Sequence, residues 1–133
     1  MTEFKLVLGT KDGKSYQKEI KGNEADYLLR LKIGDSISGD KIGYPGYEFL
    51  LTGGSDKCGF PMRKGIQDPR KKILTQKGVG FCGKNRNGGT QPGLIKRRTV
   101  CGEFVTKTIN QLNLKVTKEG PQKLGGEEAP KEE

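Results

Sequence analysis

The chain has 133 residues, of which 31% are hydrophobic and 21 are glycines, and its formal net charge at pH 7 is +9. This length predicts one domain with a modest core, and a glycine content more than twice the roughly 7% that is usual predicts many short elements joined by tight turns. No apolar run approaches the roughly 18 residues of a transmembrane helix and the N-terminus lacks the pattern of a signal peptide, so we expect a cytoplasmic protein without a membrane partner.

The N-terminal half predicts short strands separated by turns, together with one short helix. Apolar and polar side chains alternate over residues 4–8, and Asp12-Gly13 is a strong signal for a hairpin to a second strand. Asn23 is placed to cap a helix that runs to Leu31. The strands predicted in this half are residues 4–8, 15–20, 33–39 (a strand or turn interrupted by glycine) and 47–51.

The C-terminal half predicts four further strands and a long loop. Residues 78–93 contain six glycines and a proline without apolar periodicity, which is typical of a functional or mobile loop. After Gly120 the composition becomes acidic and offers almost nothing to bury, which predicts disorder. The strands predicted in this half are residues 72–75, 94–100, 103–108 and 112–116.

Together these elements predict a mainly β fold. Strands that recur with turn signals between them, with little helical periodicity, indicate a small single-domain β-barrel or barrel-like sheet with at most one or two short helices. We expect this domain to span residues 1–120 and a disordered acidic tail to span residues 121–133.

The positive charge is concentrated in one segment. Residues 1–62 carry nine basic and nine acidic side chains, whereas residues 63–101 carry eleven basic side chains and one acid, Asp68. A solvated surface normally mixes the two signs, and like charges in one segment repel one another unless a polyanion neutralises them. Because the segment is not an amphipathic helix of the membrane-surface kind, nucleic acid is the expected partner.

The segment TGGSDKCGFPMRKG, residues 52–65, has the glycine spacing of a phosphate loop but not its chemistry. A Walker loop needs Lys and then Ser or Thr after its second glycine, where Phe60-Pro61 stands here. Pro61 also lacks an N–H, and no helical period follows to supply a helix dipole. We therefore interpret the segment as a rigid turn at the exit of a strand, with the turn residues Gly53, Gly54, Asp56, Gly59 and Pro61.

No other pattern in the chain supports catalysis. GVGFCG, residues 78–83, matches the dinucleotide motif G-x-G-x-x-G, but no helix can follow it and no acid occurs between Asp68 and Glu103 to bind a ribose. The chain has no histidine, which removes the usual general base, and its three cysteines lack the paired spacing of a zinc site. We expect reduced thiols and a protein that is not an enzyme, with no cofactor, metal or small-molecule substrate.

Three runs of the sequence carry a resemblance to a known family. The run LTGGSDKCGFPM, residues 51–62, resembles the signature of the archaeal and eukaryotic small-subunit ribosomal protein S six, e-type, which is unrelated to the bacterial protein of that number. The run KRRTVCG, residues 96–102, and the later INQLNL, residues 109–114, are similar to the family's basic-to-glycine segment and closing strand. The likeness covers roughly residues 1–120 in order and spacing. A short acidic segment stands where eukaryotic members have a long basic helix, which indicates the archaeal type.

The resemblance implies a β-rich structural constituent of the small ribosomal subunit that acts in translation. It implies contacts with 16S-type ribosomal RNA and with other small-subunit proteins, and we do not expect a homo-oligomer. An alternative is a free-standing regulatory protein that binds nucleic acid. The side chains predicted to contact RNA are Lys57, Arg63, Lys64, Arg70, Lys71, Lys72, Lys77, Lys84, Arg86, Lys96, Arg97 and Arg98.

Overall fold

The computed structural model describes residues 2–124 of the chain. This part contains seven strands, one α-helix and one 3-10 helix, joined by turns and loops. No helix in this part is long and apolar enough to cross a membrane. The predicted mainly β class with at most two short helices is confirmed. The elements are β1 (Glu3–Gly9), β2 (Ser15–Lys21), α1 (Asn23–Leu28), β3 (Ser36–Ser38), the 3-10 helix (Gly39–Ile42), β4 (Glu48–Asp56), β5 (Arg70–Thr75), β6 (Lys96–Cys101) and β7 (Ile109–Lys118).

Five strands form a curled half-barrel sheet in the order β2-β1-β7-β4-β3. The first and last strands of the fold, β1 and β7, are parallel neighbours, and the other pairs in this sheet are antiparallel. The two remaining strands, β5 and β6, pair only with each other as an antiparallel hairpin. This β5–β6 hairpin lies within the basic segment of the sequence and carries six of its eleven basic side chains.

The hydrophobic core lies against one face of the sheet. The alternating strand β1 buries Phe4, Leu6 and Leu8 completely or nearly so, and its parallel neighbour β7 buries its own alternate apolar residues. The helix α1 covers this face with Ala25 and Leu28, both fully buried. Each large apolar side chain that is buried this way contributes roughly 1.5–3 kcal/mol to folding. The sheet is therefore a stable base for the hairpin.

Strand β4 continues further than the sequence predicts. The predicted turn includes Gly53 and Gly54, but both lie inside β4, which pairs with β7 as far as Asp56 through several register shifts. At Gly54 the strand passes so close to the backbone carbonyl of Gln111 and the sulfur of Met62 that no side chain would fit. Close packing, rather than a turn, is the reason for glycine at this position.

The helix α1 is shorter than predicted and begins differently. Gly22, not Asn23, is the N-cap residue, and no side chain caps the first turn. The helix ends at Leu28 rather than Leu31, because the N–H of Arg30 donates to the carbonyl of Val105 at 3.1 Å and Arg30 takes a left-handed φ of 68°. A hydrogen bond to a distant segment thus ends the helix.

Residues 103–108 do not form the predicted strand. Residues 103–105 pair only briefly with residues 30–33: Val105 donates to Leu31 at 2.8 Å and accepts from Arg30 at 3.1 Å, whereas the N–H of Glu103 donates to Ile66 at 2.7 Å. Phe104 forms a single isolated bridge with Lys32. The pairing stops after this one bridge, so the segment does not form a ladder, although its side chains have the composition of a strand.

The end of the described chain still packs on the sheet. The Tyr47 hydroxyl donates a hydrogen bond to the carbonyl of Gln122, Pro121 contacts Gly46, and Leu124 is 7% exposed. The predicted tail begins at residue 121, and within its described part Leu124 is buried whereas Pro121, Gln122 and Lys123 are exposed. The rest of that predicted tail, residues 125–133, lies outside the described residues.

Candidate nucleic-acid interface

The register of the β5–β6 hairpin assigns its side chains to two faces. Residues that pair across an antiparallel ladder point to the same side, and neighbours along a strand point to opposite sides. One side, which we call the covered face, carries Lys71, Ile73, Thr75, Lys96, Arg98 and Val100. The other side, which we call the open face, carries Arg70, Lys72, Leu74, Arg97, Thr99 and Cys101.

The covered face packs against residues 78–81, which follow β5. Gly80 lies against Val100, leaving no room for a side chain, and the Arg98 guanidinium lies 5.4 Å from the centre of the buried Phe81 ring. Arg63 reaches the same region, where its Nη1 atom donates to the Thr75 hydroxyl at 2.9 Å and to the Val79 carbonyl at 3.0 Å. Two side chains predicted to contact RNA, Arg63 and Arg98, therefore make contacts within the protein.

One end of the open face is closed by a buried aspartate at the end of β4. The Oδ1 atom of Asp56 accepts hydrogen bonds from the N–H groups of Cys58 and Phe60, both at 2.9 Å. Its Oδ2 atom accepts from the Nη2 atom of Arg70 at 2.5 Å and from the thiol of Cys101 at 3.2 Å. The turn that follows has Gly59 at a φ of +87°, a conformation that favours glycine.

The contacts around Asp56 shift the pKa values of Asp56 and Cys101 in opposite directions. Burial by itself raises the pKa of Asp56, but hydrogen bonds from the Phe60 N–H, the Cys101 thiol and the Arg70 guanidinium outweigh it, and the net result is a lowered pKa. Burial and the neighbouring carboxylate raise the pKa of Cys101 to about 11. The thiol is therefore neutral at pH 7 and unsuited to act as a nucleophile. Arg70 is held in an ion pair, which the sequence did not reveal.

The other end of the open face is exposed to solvent. Lys72, Leu74 and Arg97 are exposed there, and Leu74 and Arg97 are direct cross-strand partners. Within residues 2–124, neither Lys72 nor Arg97 has an acidic side chain within ion-pair distance. This end of the hairpin therefore presents uncompensated positive charge.

The glycine-rich loop, residues 78–93, carries two more of the predicted contacts, Lys84 and Arg86, and Lys77 immediately precedes it; all three are exposed. Asn85 shapes the loop, because its Oδ1 atom accepts hydrogen bonds from the N–H groups of Asn87 at 3.1 Å and Gly89 at 2.9 Å. Such side-chain-to-backbone bonds are typical of asparagine in turns. Internal hydrogen bonds of the loop thus hold the backbone that carries these cations.

The remaining predicted contacts are more scattered. Lys57, which immediately follows β4, lies beside Lys107, Asn110 and Glu3. Lys107 was not among the cations predicted from the sequence to contact RNA. Lys64 is exposed on the segment that leads to β5, Lys71 is 4.0 Å from Asp68 on the surface, and Lys96 is half-buried.

In the part of the chain that the structure describes, no three His, Cys, Asp or Glu side chains are grouped as a metal site would require.

Comparison with known proteins decides the family. Residues 4–128 match the sequence profile of ribosomal protein S6e, which is most of the chain. The chain belongs to the ribosomal protein S6e family. The predicted S6e resemblance is thereby confirmed, and because S6e relatives are ribosomal proteins, so is the prediction that the chain is not an enzyme.

Similar S6e proteins come from several organisms and match along nearly their whole length. Small ribosomal subunit protein eS6 of Methanococcus maripaludis strain C6 is 42% identical over 126 residues, which cover 93% of this chain and 94% of that protein. The protein of the same name from Natronomonas pharaonis is 38% identical over 133 residues, covering 96% and 98%. That of Archaeoglobus fulgidus is 40% identical over 121 residues, covering 89% of each chain. The expected archaeal type is consistent with these relatives.

Proposed function

We propose that the protein is a structural constituent of the small ribosomal subunit and that it binds 16S-type ribosomal RNA through the β5–β6 hairpin and the glycine-rich loop. Membership of the S6e family and relatives named as small ribosomal subunit proteins support the first part. In this role the protein acts in translation, in the cytoplasm, beside other small-subunit proteins.

The distribution of ion pairs is the observation that carries the RNA-binding part. On the five-stranded sheet, surface lysines are balanced by acids across the strands: Lys5 with Glu19, Lys21 with Glu3, and Lys118 with Glu48. Of the twelve predicted RNA contacts, only Arg70 and Lys71 form ion pairs within residues 2–124. The hairpin and its surroundings therefore carry positive charge that the protein does not neutralise, as a polyanion-binding surface does.

The geometry favours contacts with the RNA backbone over stacking of bases on aromatic rings. Phe81, the one aromatic side chain of the basic segment, is 5% exposed and lies beneath Arg98, so its ring is not available as a platform for bases. Lysine and arginine on an exposed hairpin and a glycine-rich loop suit phosphate contacts, which displace condensed counterions. Recognition by shape and backbone is common for folded RNA.

Binding measured against salt concentration tests this proposal. In the double variant Lys72→Glu/Arg97→Glu, affinity for 16S-type ribosomal RNA should fall, and the slope of log K against log salt should decrease by roughly 0.7–0.9 for each phosphate that the variant no longer neutralises. Arg98 is left unchanged because it also packs on Phe81. The matched control is Lys11→Glu/Lys14→Glu, which makes the same change of charge on exposed residues of the β1–β2 turn. Equal slopes for the two double variants would contradict a specific role of the hairpin.

The alternative of a free-standing nucleic-acid-binding regulator differs in where the protein is found. A constituent of the subunit should sediment with small subunits from a cell lysate and remain there through a moderate salt wash. A protein found mainly in the soluble fraction, with salt-dependent RNA binding intact, would favour the regulator.

A further inference from the structure

Leu74 is the most exposed large apolar side chain in the described part of the chain, with 65% of its surface accessible. It lies on the open face of the hairpin, directly across the ladder from Arg97 and two residues from Lys72. A single exposed leucine needs no special explanation on most surfaces. Here its setting is unusual, because the open-face residues beside it in the ladder, Arg97, Lys72 and Thr99, are cationic or polar.

The fold buries the other apolar side chains of the hairpin completely or in part, but it leaves Leu74 exposed. Residues 78–81 pack on the opposite face, where Val100 is fully buried and Ile73 is half-buried. The base of the open face is closed by Asp56, which contacts Cys101 at 3.2 Å. Leu74 is thus the one apolar side chain of β5 and β6 that is exposed.

We propose that Leu74 and Arg97 together contact the face of an unpaired nucleotide, so that the open face recognises a non-duplex element of ribosomal RNA. This inference rests on the proposed function and adds to it a specific kind of RNA element. Side chains directly opposite each other in an antiparallel pair have their Cβ atoms about 5 Å apart, so a leucine and an arginine can share one flat ligand.

The chemistry of the two side chains divides the contact into two parts. The arginine guanidinium can stack on a base or bind its phosphate, and the leucine supplies apolar surface for the base or ribose. In a duplex the bases are stacked on one another and only unpaired nucleotides offer their faces. Charge complementarity selects RNA rather than a protein segment, because Lys72 and Arg97 have no acidic partner within residues 2–124 and each nucleotide brings a negative charge.

The variant Leu74→Thr tests the apolar part of the contact separately from its charge. Threonine keeps the β propensity and the net charge, so the unfolding midpoint should not change. Its affinity for 16S-type ribosomal RNA should fall about tenfold at every salt concentration, with the same slope as the wild type, since only apolar burial is removed. Affinity for a fully paired RNA duplex should not change. The matched control is Tyr27→Thr, an exposed apolar residue on α1, outside the hairpin and the glycine-rich loop, which should bind as the wild type does.

Each of the other outcomes would overturn the inference in a recognisable way. Wild-type affinity of Leu74→Thr for ribosomal RNA would show that Leu74 makes no RNA contact, and the salt slope of the wild type would still support the proposed function. Equal losses for ribosomal RNA and for duplex would remove the preference for unpaired nucleotides, and an equal loss in Tyr27→Thr would remove the role of the open face. Unchanged RNA affinity with weaker retention in small subunits would assign Leu74 to a protein neighbour. A wild-type protein without salt-dependent RNA binding would refute the proposed function itself.

Discussion

The guanidinium of Arg70 is bound to the carboxylate of Asp56, with Nη2 and Oδ2 2.5 Å apart, and this contact joins the first strand of the hairpin to the last residue of β4. Among the ion pairs within residues 2–124 it is the one with a completely buried partner, since the Asp56 side chain has no exposed surface. Cys101, on the other hairpin strand, donates its thiol to the same carboxylate oxygen. One aspartate thus fixes both strands of the hairpin to the sheet and sets the orientation of the open face.

The Asp56→Ala variant should lose substantial stability. It removes the acceptor of two backbone N–H groups and of the Arg70 guanidinium, which we expect to lower the free energy of unfolding by about 2–3 kcal/mol. Urea unfolding followed by circular dichroism measures the effect. Arg70→Gln should also be destabilising, because it leaves the buried carboxylate without its cation. Lys71→Gln is the control, since Lys71 forms only a long surface pair with Asp68. A loss in the control as large as in Arg70→Gln would contradict this account.

The lowered pKa of Asp56 makes its contribution to stability depend on acid pH. Its ordinary value is 3.8, and the folded state holds it lower, so the folded protein binds fewer protons than the unfolded chain in this range. The stabilisation is present in full above the unfolded pKa, and it is lost as the pH falls through the folded pKa. The difference in unfolding free energy between the wild type and Asp56→Asn should therefore be larger at pH 6 than at pH 3. Equal differences at the two pH values would show that Asp56 is not preferentially ionised in the fold.

The three cysteines should differ sharply in reactivity. Cys58 and Cys82 are exposed, whereas Cys101 is buried and its pKa is raised to about 11, which leaves about a thousandth of it as thiolate at pH 8. Titration with Ellman's reagent at pH 8 should detect two thiols in the native protein and the third only after unfolding. In Cys101→Ser the native count should stay the same and the denatured count should fall by one. Rapid reaction of a third native thiol would mean that the Asp56 cluster opens readily.

Two adjacent glycines of β4 should respond differently to the same substitution. In Gly54→Ala the new methyl group would overlap the Gln111 carbonyl, so the strands must move apart, and we expect a loss of about 2–4 kcal/mol. In Gly53→Ala the methyl group meets no atom within 4 Å, and the change should stay within about 1 kcal/mol. Thermal or urea unfolding of the two variants checks this directly. Similar losses in both would indicate that backbone flexibility, rather than the close approach of the strands, requires these glycines.

Much of the fold follows from local sequence patterns. The alternation over residues 4–8 is the buried face of β1, and Asp12-Gly13 lies in the turn to β2, with Gly13 at a φ of +82°. These elements depend on nearest neighbours along the chain, which a sequence displays. Where elements depend on distant partners, the predictions were wrong: α1 ends early where Arg30 bonds to Val105, and residues 103–108 are not a strand because their pairing with residues 30–33 stops after one bridge.

The sequence by itself determined the β-rich class, the separation of charge into a neutral N-terminal half and a basic segment, and the motif that resembles the S6e family. Only the tertiary structure decided which cations make contacts within the protein and which do not. Neither the strand register nor the burial of Asp56 can be predicted from a local sequence pattern. Arg63 and Arg70 look like any other basic residue of the segment, yet the fold places one on Thr75 and the other on Asp56. A charge becomes a structural contact when folding buries a partner beside it, and that depends on positions far apart in the chain.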